Sequence, residues 1–346
     1  MSISETSPIY RLSRQILNRI VPGALILMYH RVSSQVDLDP WKLVVTPQHF
    51  AEHMEVIRRY TRPMPLQTLN QQVQAGKRMP KAVVVTFDDG YADNLLYARP
   101  ILERQEIPAT VFIVSGYVGE EQEYWWDELE KLMLFPGRLP ETLTLMVNEK
   151  AYRWELGETA EYTRVDYERF RSWDANWQAP PTPRHQIFLT LHSILRPLLP
   201  GEREELLGRL WEWAGTTSIV RQSHRTLKAE ELLRLVDGDL VEAGAHTVTH
   251  PLLSALPAEL QRDEIERSKS QLEELIGFPV NTFSYPYGNY NSATLQIVKE
   301  AGFNCACSTI VDGIWFKAHP FLLPRLEVRN WDGEEFFRRL HHWSWA

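Results

Sequence analysis

Seven short runs rich in Val, Ile, Ala and Leu recur along the chain, at 24–29, 82–87, 109–114, 241–245, 282–285, 305–308 and 322–324. Between most of them the apolar residues return at helical spacing instead. Runs this short are poor helices, and too apolar to leave one face in water. They suit strands buried on both faces of a parallel sheet, each joined to the next by a crossover helix. Thr46 is placed to cap a helix carrying Phe50, Met54 and Ile57 on one face, and Pro257 opens a long helix running to about Ile276.

Between residues 120 and 225 this alternation stops. Trp125-Trp126 comes first, and then Leu143, Leu145 and Val147 alternate up to a polar turn at 148–150, with Tyr152 and Trp154 following. That pattern predicts a hairpin, and a Pro-rich stretch then leads into two more helices. The division expected is an N-terminal helical segment over 1–23, a main domain in two pieces (24–119 and 226–330), an inserted α+β subdomain over 120–225, and a C-terminal helix over 331–346.

Lys and Arg total 37 against 45 for Asp and Glu, a formal charge of −8, so no basic field exists to hold nucleic acid. Cys305 and Cys307 are spaced to share one face of a strand and are read as small buried residues rather than a disulfide. The run 24–29 is too short to span a membrane, and 1–20 lacks the apolar core of a signal peptide, so a cytoplasmic location is expected. Residues 9–20 are amphipathic in helical spacing, which leaves open packing on the domain or peripheral membrane contact.

The second strand runs into Thr86-Phe87-Asp88-Asp89-Gly90-Tyr91, which sets two adjacent carboxylates at the carboxyl end of a buried parallel strand. Side chains alternate along a strand, so one acid can bind a metal while the other takes a proton from water. A solvated loop start that caps the next helix is the plainer alternative. The fourth strand ends in Gly244-Ala245-His246-Thr247-Val248-Thr249-His250-Pro251, with two imidazoles four residues apart. Two such nitrogens plus the Asp89 carboxylate make a three-ligand set of the kind catalytic zinc uses. A third strand end, Phe283-Ser284-Tyr285-Pro286-Tyr287-Gly288, forms a turn that can aim the Tyr287 N–H at an oxyanion.

In this order the three elements resemble the polysaccharide deacetylase family, the NodB-homology group of carbohydrate esterases, over roughly residues 24–330 without the insertion. The resemblance implies a distorted (β/α) barrel of about seven parallel strands. It also implies Asp88 as general base and Asp89, His246 and His250 as ligands of one divalent metal ion. Two family features are absent: Ser284 stands where the third motif usually begins with Arg, and no late Leu-x-His acid is evident near Leu323. Some members acting on exopolysaccharide carry the acid His in an N-terminal Tyr-His motif. Tyr29-His30 resembles that motif, which makes His30 the expected acid. Arg325, in Leu323-Pro324-Arg325, is the expected substitute for the missing guanidinium.

The expected reaction is hydrolysis of an N-acetyl group on an amino sugar, with Tyr91, Tyr285, Trp126 and Asp312 as candidates for sugar contact. The expected substrate is an acylated amino sugar that is part of an oligosaccharide or is linked to a lipid or a nucleotide. Zn2+ is the expected ion, although Co2+, Ni2+, Mn2+ and Fe2+ suit the same ligands. An O-acetyl esterase or deformylase would use the same residues, and a sugar-binding pseudoenzyme would keep the ligands without turnover.

Overall fold

The computed structural model describes residues 23–35, 37–314 and 318–345. The helical segment expected over 1–23 lies outside them except for its last residue. Contacts divide the chain into two units, one comprising Met1–Ser34, Val44–Gly119 and Leu227–Ala346, the other Gln35–Leu43 and Glu120–Thr226.

The first unit is a distorted (β/α) barrel. Its strands are β1 (Leu25–Tyr29), β2 (Ala82–Phe87), β3 (Ala109–Ile113), β4 (Val241–Ala245), β5 (Thr282–Ser284), β6 (Cys305–Cys307) and β7 (Leu326–Glu327). From β1 to β6 each strand pairs in parallel with the next in chain order, β7 pairs with β1, and a short eighth strand, Arg62–Pro63, pairs in parallel with β2. A parallel bridge from Leu323 to Cys307 closes the ring. Strand formation was expected at 322–324, yet the ladder to β1 begins only at Leu326. Pro324 has no N–H to donate, so regular pairing resumes beyond it.

Period-two alternation sorts the strand residues into two layers. Leu25, Leu27, Val83, Val85, Val111, Ala243 and Phe283 pack outward against Phe50, Met54 and Ile57 of the helix Pro47–Tyr60 and Ile265 of the helix Ala258–Ile276. Ile26, Val84, Phe112, Cys305, Cys307 and Leu323 form a separate inner cluster with Leu66, Leu69 and Val73 of the helix Leu66–Gln74. The two cysteines are free and buried there. Inner-facing positions are therefore the even ones on β1 to β5; they include Ser284 at the end of β5 and, carried one residue past β1, β2 and β4, reach His30, Asp88 and His246. Gly244 is required in this interior, because a Cβ there would lie 2.4 Å from the Phe112 ring.

Thr46 caps Pro47–Tyr60 by accepting from the His49 N–H, and Ala258–Ile276 follows Pro257. The C-terminal helix spans Gly333–Trp345. Among the described residues no helix is long and apolar enough to cross a membrane.

The second unit holds the hairpin, with Thr142–Val147 antiparallel to Lys150–Glu155. Its turn is the two-residue Asn148-Glu149, both at positive φ, so Lys150 already belongs to the return strand. Trp125 and Trp126 open the helix Trp125–Leu134, and the Pro-rich stretch leads into Pro183–Leu195 and Pro200–Ala214. Gln35–Leu43 joins this unit, where the Trp41 ring lies 4.6 Å from His192 and 6.0 Å from Phe188. Composition alone had left that segment with the barrel.

Candidate active site

At the carboxyl ends of the barrel strands the inner face turns from apolar to ionic. Asp88 continues the ladder one residue past β2, its N–H donating to the Tyr29 carbonyl at 3.0 Å. Arg325, just ahead of β7 and two strands away in the sheet, grips it: Nη1 donates to Oδ1 and Nη2 to Oδ2, both at 2.7 Å. The guanidinium also donates to the Ser284 hydroxyl at 2.8 Å and, through Nε, to the Ser308 carbonyl at 3.0 Å. Both charged groups are buried. A planar fork on a carboxylate is a geometry that lysine cannot copy.

Burial alone pushes the Asp88 carboxyl up, but Arg325, helped by His246 and His30, outweighs it and holds the acid well below the usual carboxylate range. Asp88 is therefore an anion aimed at the barrel mouth. Sequence reasoning placed Arg325 beside it, and also noted the Ser284 departure without seeing its consequence. The small hydroxyl at 284 leaves room for a guanidinium arriving from β7's approach and bonds to it.

Asp89 leaves the strand at φ 72° and Gly90 follows at φ 70°, which swings the second carboxylate away from its partner. Its Oδ1 stands 3.6 Å from His246 Nε2 and 3.4 Å from His250 Nε2. All three ligand atoms lie within 4.8 Å of one another, and all three residues are buried. The chemistry of this set fits a divalent cation. His246 Nδ1 donates to the Ser284 carbonyl at 2.7 Å, which assigns its proton and leaves the Nε2 lone pair facing Asp89. Burial also lowers the His246 imidazole, against the pull of Asp88, and so favours the neutral ring a ligand must be.

The loop between the two imidazoles is strained, with Thr247 at φ 68° and His250 at φ 54°. It is held on both sides. Ser115 and Gly116 donate their N–H groups to the carbonyls of Thr247 and Val248, each at 3.0 Å. From the helix Ala258–Ile276, Glu264 accepts the Val248 and Thr249 N–H groups at 2.8 and 2.9 Å and the Thr249 hydroxyl at 2.6 Å. Glu264 was missed in the sequence. Its signal is a lone acid on the helix face that otherwise buries Gln261, Ile265, Ser268 and Leu272.

His30 extends the inner face of β1. Burial lowers its imidazole, while Asp88 and Glu327 pull it up and Arg325 and His246 push it down, so it shares the electrostatic field of the site. Tyr287 sits at φ 58° in the turn Pro286–Gly288 with its ring 4.5 Å from His250.

The expected sugar contacts fare differently. Tyr91 is fully buried beneath the Arg31 guanidinium at 4.7 Å. Tyr285 is likewise buried, its hydroxyl donating to the Phe321 carbonyl and its ring packed on Phe283 and Tyr290. Both are core rings: Tyr285 continues the outward side of β5, and Tyr91 is turned inward to the core after the bend at Asp89-Gly90. Trp126 is 7% exposed and stacks on Tyr124 at 4.3 Å within the second unit. Asp312 is part-exposed and accepts the Gly313 N–H, a turn-forming contact.

A family model described as Polysaccharide deacetylase matches residues 75–150 and 212–306. The chain is similar to a provisionally named polysaccharide deacetylase, YxkH, of Bacillus subtilis (strain 168), at 30% identity over 109 residues, 31% of this chain and 37% of that protein. It is also similar to the poly-beta-1,6-N-acetyl-D-glucosamine N-deacetylase of Staphylococcus aureus (strain MSSA476), at 43% identity over 58 residues, 16% of this chain and 19% of that protein. The matched stretch is a minority of either relative's length. Among solved structures, IcaB from Ammonifex degensii superimposes with a TM-score of 0.57 at 17% identity, covering 94% of this chain and 98% of that one. The Streptococcus pyogenes deacetylase PplD in complex with acetate gives 0.57 at 16%, covering 92% and 99%. At such identities these two likenesses establish the fold.

Proposed function

Because the chain belongs to the polysaccharide deacetylase family, we propose that it hydrolyses the N-acetyl group of an amino sugar within a glycan, with one divalent metal ion held by Asp89, His246 and His250. A bound ion would supply Lewis acidity to the acyl carbonyl and to the attacking water, and Zn2+ is the ion that three such ligands and an open position suit best.

The observation that carries this reading is the pairing of two acids with opposite fates. Asp88 is kept ionised by Arg325 and faces the mouth, while its neighbour Asp89 is turned toward two imidazoles. Asp88 takes the proton from the attacking water, and Arg325 keeps its two oxygens in one plane during the transfer. The Tyr287 N–H donates to the developing oxyanion. His30 gives a proton to the departing amine, which would otherwise leave as an amide anion. Acetate and a free amino sugar are the products. The name of the Staphylococcus aureus relative supports a polymer of N-acetylglucosamine as the substrate class.

The test is acetate release from N-acetylglucosamine oligosaccharides by the metal-loaded protein, the chelated protein and Asp88→Asn. Release should fall by roughly 100-fold or more when either the ion or Asp88 is removed. Equal release with and without chelator would refute the reading. A protein that binds one ion per chain but releases no acetate from any acetylated amino sugar would instead be a sugar-binding relative without turnover.

A further inference from the structure

Resting on the assignment of His30 as the acid, we propose that Asp93, with Asn94, is a positioning residue that holds the acid strand end to the loop carrying Asp88 and Asp89. The three residues His30, Arg31 and Val32 are each tied to this pair. Asn94 Nδ2 donates to the His30 carbonyl at 3.0 Å. Arg31 Nε donates to Asp93 Oδ2 at 3.1 Å, and the Val32 N–H donates to Asp93 Oδ1 at 3.2 Å. Asn94 Nδ2 also reaches Asp93 Oδ1 at 3.1 Å, so the two side chains act as one unit.

Asp93 and Asn94 stand only four and five residues beyond Asp89. The clamp therefore joins the proton donor's backbone to the segment bearing the proton acceptor and the metal-binding carboxylate. These bonds continue past the strand ends the registration that the β1–β2 ladder and the bond from the Asp88 N–H to the Tyr29 carbonyl begin.

Two features speak for placement rather than stability alone. The Arg31–Asp93 pair is buried, with side chains 4% and 5% exposed, and apolar residues of similar volume commonly stabilise such a site as well or better. What the charged pair adds is a defined geometry. In addition, the chain from Asn94 to Ala98 forms a π-helical turn ahead of the helix Arg99–Gln105. Such turns cost regular hydrogen bonding and cluster at functional sites, and here the turn begins at Asn94 itself.

The test uses the metal-loaded full chain and two substrates. Acetate release from an N-acetylglucosamine oligosaccharide needs a protonated leaving amine, whereas 4-nitrophenyl acetate expels 4-nitrophenolate unaided. His30→Ala should lower the ratio of amide to ester turnover by roughly 100-fold. Asp93→Asn should lower the same ratio by roughly tenfold through kcat with KM unchanged, since small displacements of a catalytic group are costly. Adding Asp93→Asn to His30→Ala should lower it no further. Asn94→Ala, which leaves no buried charge behind, should lower it by about threefold and decides the matter if Asp93→Asn does not fold.

A ratio that falls in His30→Ala but stays within twofold of wild type in Asp93→Asn or Asn94→Ala overturns the clamp while leaving the acid assignment intact. A ratio unmoved in His30→Ala overturns the acid assignment itself, and the clamp with it.

Discussion

Arg325→Ala is the perturbation with the most sharply defined consequences. It removes both 2.7 Å bonds to Asp88 and the bond to the Ser284 hydroxyl, leaving a carboxylate that is 4% exposed without its cation. Breaking one side of a buried ion pair costs roughly 3–5 kcal/mol, so the variant should unfold at distinctly lower urea than wild type. The pKa consequence has a definite sign. Burial raises the Asp88 carboxyl, and Arg325 is the strongest group opposing it, ahead of His246 and His30, so without Arg325 the group moves up. A base works only above its pKa. The acid limb of the kcat/KM profile should therefore shift to higher pH, and turnover near neutrality should fall by roughly 100-fold. Wild-type Asp88, held low, contributes stability that is present above the unfolded carboxylate pKa and lost only as pH falls through the folded value. The assays are acetate release against pH, urea denaturation and metal content of the purified variant. Metal should stay near one per chain, because Asp89, His246 and His250 are unchanged. A profile whose acid limb does not move, with kcat/KM within threefold of wild type, would refute the role given to Arg325. Loss of metal together with activity would assign Arg325 to folding instead.

Glu264→Ala should leave the N–H groups of Val248 and Thr249 without their acceptor and loosen the strained turn between His246 and His250. Metal affinity, measured by competition with a chromogenic chelator, should fall by roughly 10–100-fold with the barrel still folded; unchanged affinity would count against the brace. His53 is fully buried between Tyr29 and the Trp331 carbonyl, and burial brings its imidazole down to about 4. The unfolded chain then binds more protons than the folded one below pH 6.5, so stability is lost as pH falls through that window. The loss should reach about 2 kcal/mol by pH 5. His185 and His192 are also lowered by burial, so urea denaturation at pH 7.5 and 5.0 should show a wild-type loss that exceeds the one in His53→Gln by about that amount; equal losses would refute it.

Much of the site was legible in the residues themselves. Strands β2 and β4 lie at 82–87 and 241–245 as expected, because strands buried in a parallel sheet are short and mostly apolar, even with Glu242 within β4. The acids and imidazoles that follow them are adjacent in the chain, so their motifs can be read locally. Phe50, Met54 and Ile57 likewise fall on the buried face that their spacing requires.

Only the tertiary structure decided how distant groups meet. Arg325 lies 237 residues from Asp88, and their bidentate pairing depends on ring closure through Leu323 and β7, which Pro324 displaces from where apolarity put it. Tyr91 and Tyr285 are candidates for sugar contact in the sequence, yet strand parity buries Tyr285 and the bend at Asp89-Gly90 buries Tyr91. Glu264 and Asp93 carry no motif that marks them, since their partners are backbone groups and a cation brought in by other elements. Sequence records which groups a strand end can present, because that follows from local period. It does not record which strand ends face one another, because that follows from how the barrel closes.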